Sequence, residues 1–313
     1  MNKRGLLFLV LVFSLFIFGC EQQKKSQTSG IFLGGTDAVE FSFVENQPPN
    51  QVLDDNQDPF SIVINLQNKG EYTVPQNKVI ASLSGISADA FSISSLHTSL
   101  KIPLEGKIKS GDQVIQSSPE ELLFDEAIYK HDLNADFPTS LRVDICYLYQ
   151  TRAVSKLCLK KNAVERNTED KCLVNSNEVS TESSSAPVKI KNVRQRSSGT
   201  NEIKLTFTVV NEGKGEVYPP SAFSDKCVEK RLDENRLLLE VSSASGKTRF
   251  KCSQLNGASK GEIKLTLSEK IVSCDIPTDN AQETAFEEPV NIVLSYFYKG
   301  SIEKQITVMD SEQ

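Results

Sequence analysis

One pattern occurs twice in this 313-residue chain, and it sets the fold class. The first copy reads Phe60-Ser-Ile-Val-Ile-Asn-Leu-Gln-Asn-Lys-Gly70, and the second Ile203-Lys-Leu-Thr-Phe-Thr-Val-Val-Asn-Glu-Gly213. Apolar side chains alternate in each: Ile62, Ile64 and Leu66, then Leu205, Phe207 and Val209. A period of two sends alternate side chains to one face, so each run predicts a strand with one buried side. Each ends in Asn-x-Gly (Asn68 and Gly70, Asn211 and Gly213), residues that tolerate positive φ and so predict a turn.

A second matched pair closes each unit. Asp144-Ile-Cys-Tyr-Leu-Tyr149 is followed by polar residues through Arg152 and then Leu157-Cys-Leu159. Its counterpart is Val293-Leu-Ser-Tyr-Phe-Tyr298, then Gly300-Ser301, then Ile306-Thr-Val308. Each reads as a terminal hairpin. Further alternating runs start the units at Val39, Phe41 and Phe43 and at Val188 and Ile190, and recur at Val79–Leu83 and Leu237–Val241. Ile263–Leu267 with Ile271–Ile276 suggests another hairpin, and Ser118–Leu123 suits a short helix or a strand edge. No long segment has a 3.6-residue period. Many short strands separated by turn signals predict an all-β chain built from β-sandwiches.

The first twenty residues bear on location. Lys3 and Arg4 precede an apolar run from Leu6 to Phe18, which stops at Gly19-Cys20 before polar Glu21–Lys25. This is the layout of a secretory signal. The run is shorter than the roughly 20 residues that cross a bilayer as a helix. The Gly19-Cys20 junction resembles the lipobox of prokaryotic lipoproteins. That resemblance implies a diacylglycerol on Cys20, cleavage before it, and a mature chain held on the extracytoplasmic face of a cell membrane. Two acyl chains hold far better than one, at about 0.8 kcal/mol per buried methylene.

Seven cysteines are present, and six follow Cys20: Cys146, Cys158, Cys172, Cys227, Cys252 and Cys274. An even number in an exported chain predicts disulfides. Cys146 with Cys158, facing across the expected hairpin, and Cys158 with Cys172, closing a short polar loop, are both open pairings. In the repeat alignment Cys146 meets Ser295 and Cys158 meets Thr307, so these cysteines are additions to a common framework. Their wide spacing and the presence of only His97 and His131 argue against a zinc site, and no metal or cofactor is expected. The net charge of −6, with mixed signs, argues against nucleic-acid binding.

The expected organisation is a signal peptide (1–20), a tether (21–36), a first sandwich (37–160), a linker (161–185) and a second sandwich (186–313). The alternating strand ending in Asn-x-Gly, with its Tyr-x-Tyr partner, resembles the CARDB and NEW3-like immunoglobulin-fold modules of prokaryotic surface proteins. The resemblance implies two tandem immunoglobulin-like β-sandwiches in binding or spacer roles, with no catalytic residues to transfer. The chain departs from antibody-type domains in having no tryptophan, and the charged segment Glu105–Asp136 fits the modules poorly.

Candidate chemistry is sparse. Ser245-Gly246-Lys247-Thr248 matches the end of a phosphate-binding loop, but Val241 stands where the first glycine belongs, so a hairpin turn is expected. Asp54-Asp-Asn-Gln-Asp58 spaces oxygens as a calcium loop does, yet Pro59 and Asn65 replace the loop glycine and the bidentate Glu. His97 and His131 have no serine motif around them. Glu120, Glu121, Asp125 and Glu126 read as a solvated face rather than paired catalytic carboxylates. Tyr147, Tyr149, Tyr296 and Tyr298 pair on one face of each expected hairpin, as core or as an exposed partner-contact patch. The expectation is a lipid-anchored binding, adhesion or spacer protein without catalysis, touching the membrane through Cys20 and an unidentified protein or cell-envelope partner. The alternative is a lipid-anchored hydrolase or carbohydrate-binding protein on the same scaffold.

Overall fold

A computed structural model describes residues 31–222, 226–227 and 231–312. The leader, Cys20 and the tether up to residue 30 lie outside the described residues.

The fold is all-β. The strands run β1 (Val39–Phe43), β2 (Gln51–Leu53), β3 (Val63–Asn68), β4 (Val79–Ser84), β5 (His97–Ser99), β6 (Ile108–Ser110), β7 (Gln113–Ile115), β8 (Glu120–Leu123) and β9 (Phe137–Leu159). They continue with β10 (Thr181–Ser183), β11 (Val188–Ser197), β12 (Glu202–Asn211), β13 (Glu216–Tyr218), β14 (Arg236–Ser243), β15 (Lys251–Cys252), β16 (Lys260–Lys264), β17 (Glu269–Pro277) and β18 (Phe286–Met309). A nine-stranded sheet follows the order β16-β14-β18-β9-β4-β5, with β10 added on β9, and β13 and β2 on β18. A three-stranded sheet, β1-β3-β8, comes from the first repeat, and a four-stranded sheet, β11-β12-β17-β15, from the second. The β6-β7 hairpin pairs with neither.

The expected terminal hairpins are instead two unbroken strands. β9 and β18 pair antiparallel along their length, from Phe286 opposite Leu159 to Val308 opposite Phe137. The register is symmetric under exchange of the halves: Tyr147 faces Tyr298, and Tyr149 faces Tyr296. This is the isologous geometry of a strand-paired dimer, realised within one chain. The hairpin reading failed on polar residues that looked like a turn. Thr151 and Ser155 are buried and satisfied internally, with the Thr151 hydroxyl 2.6 Å from the Val188 carbonyl and Ser155 2.8 Å from the Thr181 hydroxyl. Every second residue of β9 from Leu141 to Leu159 is buried, with no break at Arg152. Gly300 is likewise no turn; a Cβ there would lie 2.7 Å from Cζ of Phe41.

Residues 31–313 form one compact unit, and one apolar core takes in Ile64 and Leu66 as well as Phe207 and Val209. The segment 161–185, expected as a linker, packs onto that unit. Its Val174 and Val179 are buried, and β10 pairs with β9. Buried Gln195 accepts from the Cys158 amide and donates to the Cys158 and Val174 carbonyls, all at 2.8 Å. The buried Lys160 ammonium lies 2.9 Å from Asp170, whose carboxylate also accepts from the Ala285 and Asn167 amides. These donors, Ala285 foremost, hold the Asp170 pKa down at about 2.

Other expectations resolve as follows. Ser118–Leu123 takes the strand alternative, since Glu120–Leu123 pairs with β3. A tight turn joins β16 to β17, with Thr266 and Glu269 exchanging both backbone hydrogen bonds across Leu267 and Ser268, but the expected hairpin goes no further: β16 pairs with β14 in the large sheet and β17 with β12 in the other. The disulfides are Cys146–Cys227, Cys158–Cys172 and Cys252–Cys274. The Cys146–Cys158 pairing fails because both cysteines sit on one continuous strand, about 40 Å apart at the usual rise.

Candidate functional site

The repeated motifs meet in space. In each half the Asn-x-Gly turn packs against the second tyrosine of Tyr-x-Tyr. The Gly70 amide donates to Oδ1 of Asn68 at 3.1 Å, and the Gly213 amide to Oδ1 of Asn211 at 3.2 Å. A Cβ on Gly70 would collide with the Tyr149 hydroxyl, and a Cβ on Gly213 with that of Tyr298. Neither glycine, and neither asparagine, has a positive φ. The glycines are therefore needed for room rather than for left-handed backbone, which corrects the turn argument made from sequence.

Tyr147, Tyr149, Tyr296 and Tyr298 are core and not a partner surface. All are buried, and their rings interlock across β9 and β18, with Tyr147 and Tyr298 centroids 5.7 Å apart and Tyr149 and Tyr296 6.3 Å apart. Burial pushes all four phenols above the ordinary tyrosine pKa.

The strands bring His97, Ser82 and Asp144 into one row, because Ser82 pairs with His97 on one side and Asp144 on the other. They line a cleft of about 410 Å³ beside Cys227, with Lys226, Arg231, Glu234 and Lys299. Nδ1 of His97 lies 2.9 Å from the Ser82 hydroxyl. That hydroxyl donates its single proton to the Lys226 carbonyl, so in the contact with His97 it accepts. With that proton directed at Lys226, Nδ1 of His97 is the donor in the pair. Asp144 is bound by Arg142 at 2.8 Å and Lys299 at 3.4 Å, and no hydrogen bond joins it to the imidazole.

The remaining candidates have structural partners. His131 packs its ring edge on Tyr129, and its carbonyl accepts from the Asp55 amide. The Asp54 carboxylate accepts from Ser311 at 3.0 Å and Leu133 at 2.7 Å, and bonding to Ser311 holds its pKa low. It fastens the C-terminal residues rather than facing a cation. Glu120 and Glu121 are neighbours on β8 and project to opposite faces, and Asp125 accepts from Ser94. Among the described residues no group of three acidic, His or Cys side chains could hold a metal. No helix among them is long and apolar enough to cross a membrane.

The Ser245–Thr248 segment is a connection between two sheets rather than a hairpin turn, since β14 and β15 lie in different sheets. Its amides are spent internally. Ser245 donates to Glu288, Gly246 to the Ser243 carbonyl, Lys247 to the Ser245 hydroxyl and Thr248 to the Ser243 hydroxyl. The cradle that a phosphate needs is thus closed. The same segment forms one wall of a cleft of about 610 Å³, within the range of small-ligand sites. The 277–282 connection forms the opposite wall, and Leu159 and Phe286, paired at the end of β9 and β18, supply apolar lining. Lys247, Arg249, Asp279, Asn280 and Gln282 are exposed around it. Sequence reasoning noticed only the lysine turn. Thr278–Gln282 carries no motif, and the fold alone brings it beside Arg249 and Phe286.

No family model matches the chain, and no curated protein matches it. Among solved structures, the secreted serine protease VesC from Vibrio cholerae is similar at 9% identity with a TM-score of 0.21, over 83% of this chain and 50% of that one. The chain thus spans about half the length of that protein. A structure titled as a chaperone–tip adhesin complex for CFA/I fimbriae biogenesis is similar at 8% identity with a TM-score of 0.11, over 88% of this chain and 86% of that one. Likenesses this slight carry no argument about fold or function.

Proposed function

We propose that this is a lipoprotein anchored through Cys20 on the extracytoplasmic face of a cell membrane, serving binding, adhesion or spacing without catalysis. The observation that carries the reading is the pairing of all six cysteines after Cys20 in three disulfides. Such pairing persists outside the reducing cytosol, where the leader would send the chain. The polar-rimmed cleft at Phe286 supports binding, and the proton arrangement at Ser82 supports a role other than nucleophilic catalysis. The CARDB and NEW3-like identity of the two repeats belongs to the same proposal.

Mass analysis of the purified chain tests it. The expected species begins at Cys20 and carries two ester-linked acyl chains and an added glycerol, and Cys20→Ser abolishes incorporation of labelled fatty acid. An intact leader without lipid overturns the anchor. Thiol reagents should label the chain only after reduction.

The hydrolase alternative draws on the Ser82–His97 contact. It predicts ester hydrolysis that disappears in Ser82→Ala, and the proposal predicts no such difference.

A further inference from the structure

We infer that the cleft between Ser245–Arg249 and Pro277–Gln282 is a binding site for a neutral saccharide. The inference rests on the binding role proposed above and supplies its ligand class.

Three observations lead there. The first is charge. Lys247 and Arg249 face Asp279 and Glu288 around one cleft, so formal charges balance and favour a ligand without net charge. A phosphate is further disfavoured because the amides of Ser245 to Thr248 already donate within the protein.

The second is the loss of backbone pairing as a means of recognition. On the opposite wall the Thr278 amide donates to the Asn201 carbonyl and the Ala281 amide to the Thr278 carbonyl, while the Gln282 carbonyl accepts from Lys161. A peptide adding as a strand needs a run of free backbone groups, and the bonded Thr278 and Ala281 amides and Gln282 carbonyl interrupt such a run. Side chains are then the main means of recognition.

The third is the kind of side chain present. Arg249, Asp279, Asn280 and Gln282 have planar polar heads, exposed at the rim and with no side-chain bond to a protein partner among the described residues. Planar donors and acceptors match adjacent hydroxyls in pairs. Half-buried Phe286, backed by Leu159, offers a ring whose negative face attracts the C–H face of a pyranose. An apolar lining with a few convergent polar groups is the usual make-up of a small-ligand site. The hydrogen bonds that hold both walls place them before the ligand arrives, which lowers the ordering cost of binding.

The full chain, purified in detergent, is titrated by calorimetry with cellobiose, maltose and di-N-acetylchitobiose, each to about 20 mM, a range that captures millimolar affinities. At least one should saturate. Phe286→Ala and Asn280→Ala should each weaken that sugar about tenfold or more, and Asn177→Ala, elsewhere on the surface, should leave it unchanged. Asn280 is exposed, so its variant carries the test if Phe286→Ala does not fold. Saturation by none of the three sugars overturns the inference. So does a sugar whose affinity ignores both substitutions, or saturation by inorganic phosphate or a short peptide that depends on Asn280 while no sugar binds. None of these results bears on lipid at Cys20, which the mass analysis decides separately.

Discussion

The two copies of the Asn-x-Gly turn share their chemistry and differ in their surroundings. The first is sealed in. Asn68 and Gly70 are buried, and Asn68 donates to the Tyr72 and Leu104 carbonyls at 2.7 and 3.2 Å. The neighbouring Glu71 carboxylate accepts from the Leu33, Gly34 and Ser185 amides, drawing the entering chain and the 182–187 segment over the turn. The second copy is half-open. Asn211 donates to the Gly215 carbonyl at 2.9 Å, and Gly213 meets Pro187 and Tyr298 with solvent on one side. Identical motifs can thus hold different shares of stability, because water can replace a lost hydrogen bond only where it can reach.

The largest expected difference is steric. At Gly70 a new methyl would strike the Tyr149 hydroxyl and also lie 2.6 Å from the Asp37 carbonyl oxygen, which is backbone. Gly70→Ala should therefore cost about 3 kcal/mol or more, or prevent folding, while Gly213→Ala should cost about 1–3 kcal/mol. Denaturant titration of both variants measures this. Equal midpoints would erase the contrast between buried and half-open turns.

Removing the asparagine amides comes next. Asn68→Ala strands buried carbonyls and should cost about 2–3 kcal/mol, against about 1 kcal/mol for Asn211→Ala, again by denaturant titration. A larger loss at Asn211 would mean that burial is not what separates the copies.

The tyrosine hydroxyls should reverse the order. Tyr298 accepts from the Gly215 amide at 2.8 Å, whereas the contacts of Tyr149 with Asn68 and the Ser185 carbonyl are long, at 3.4 Å. Tyr298→Phe should cost about 1 kcal/mol, and Tyr149→Phe less. Thermal melts of the two variants sharpen the comparison by separating hydrogen-bond quality from depth.

A smaller effect concerns Asp170, which ties the 161–185 segment to the start of β18. Its folded pKa, about 2, lies below the ordinary 3.8. The unfolded chain therefore takes up the proton first, and the stabilisation is present above about pH 4 and lost as pH falls toward 2. Melting temperature followed through this window should fall less steeply in Asp170→Asn than in the parent. An unchanged slope would show that the segment is held by other contacts.

Much of the fold was legible locally. Alternation in Ile62–Leu66 and Leu205–Val209 marked buried strand faces, because a period of two allows few other structures. The repeat was legible too, but its function was not: Asn-x-Gly and Tyr-x-Tyr are distant in sequence and become one packing unit only when β3 and β12 meet β9 and β18. The hairpins were misread because Thr151 and Gly300 resemble turn residues when their partners, Val188, Tyr296 and Phe41, are out of view. The cleft was least legible. Arg249, Asn280 and Phe286 lie on three separate stretches with no shared motif.

The amino-acid order alone determined the strand character of the chain, its twofold repetition and its even set of cysteines after Cys20, since periodicity and composition act over a few residues at a time. Tertiary structure decided which strands joined, which cysteines bonded and which polar side chains gathered around Phe286. Those outcomes depend on non-local pairing, above all the long β9–β18 ladder. Its register comes from summed burial along both strands rather than from any short segment.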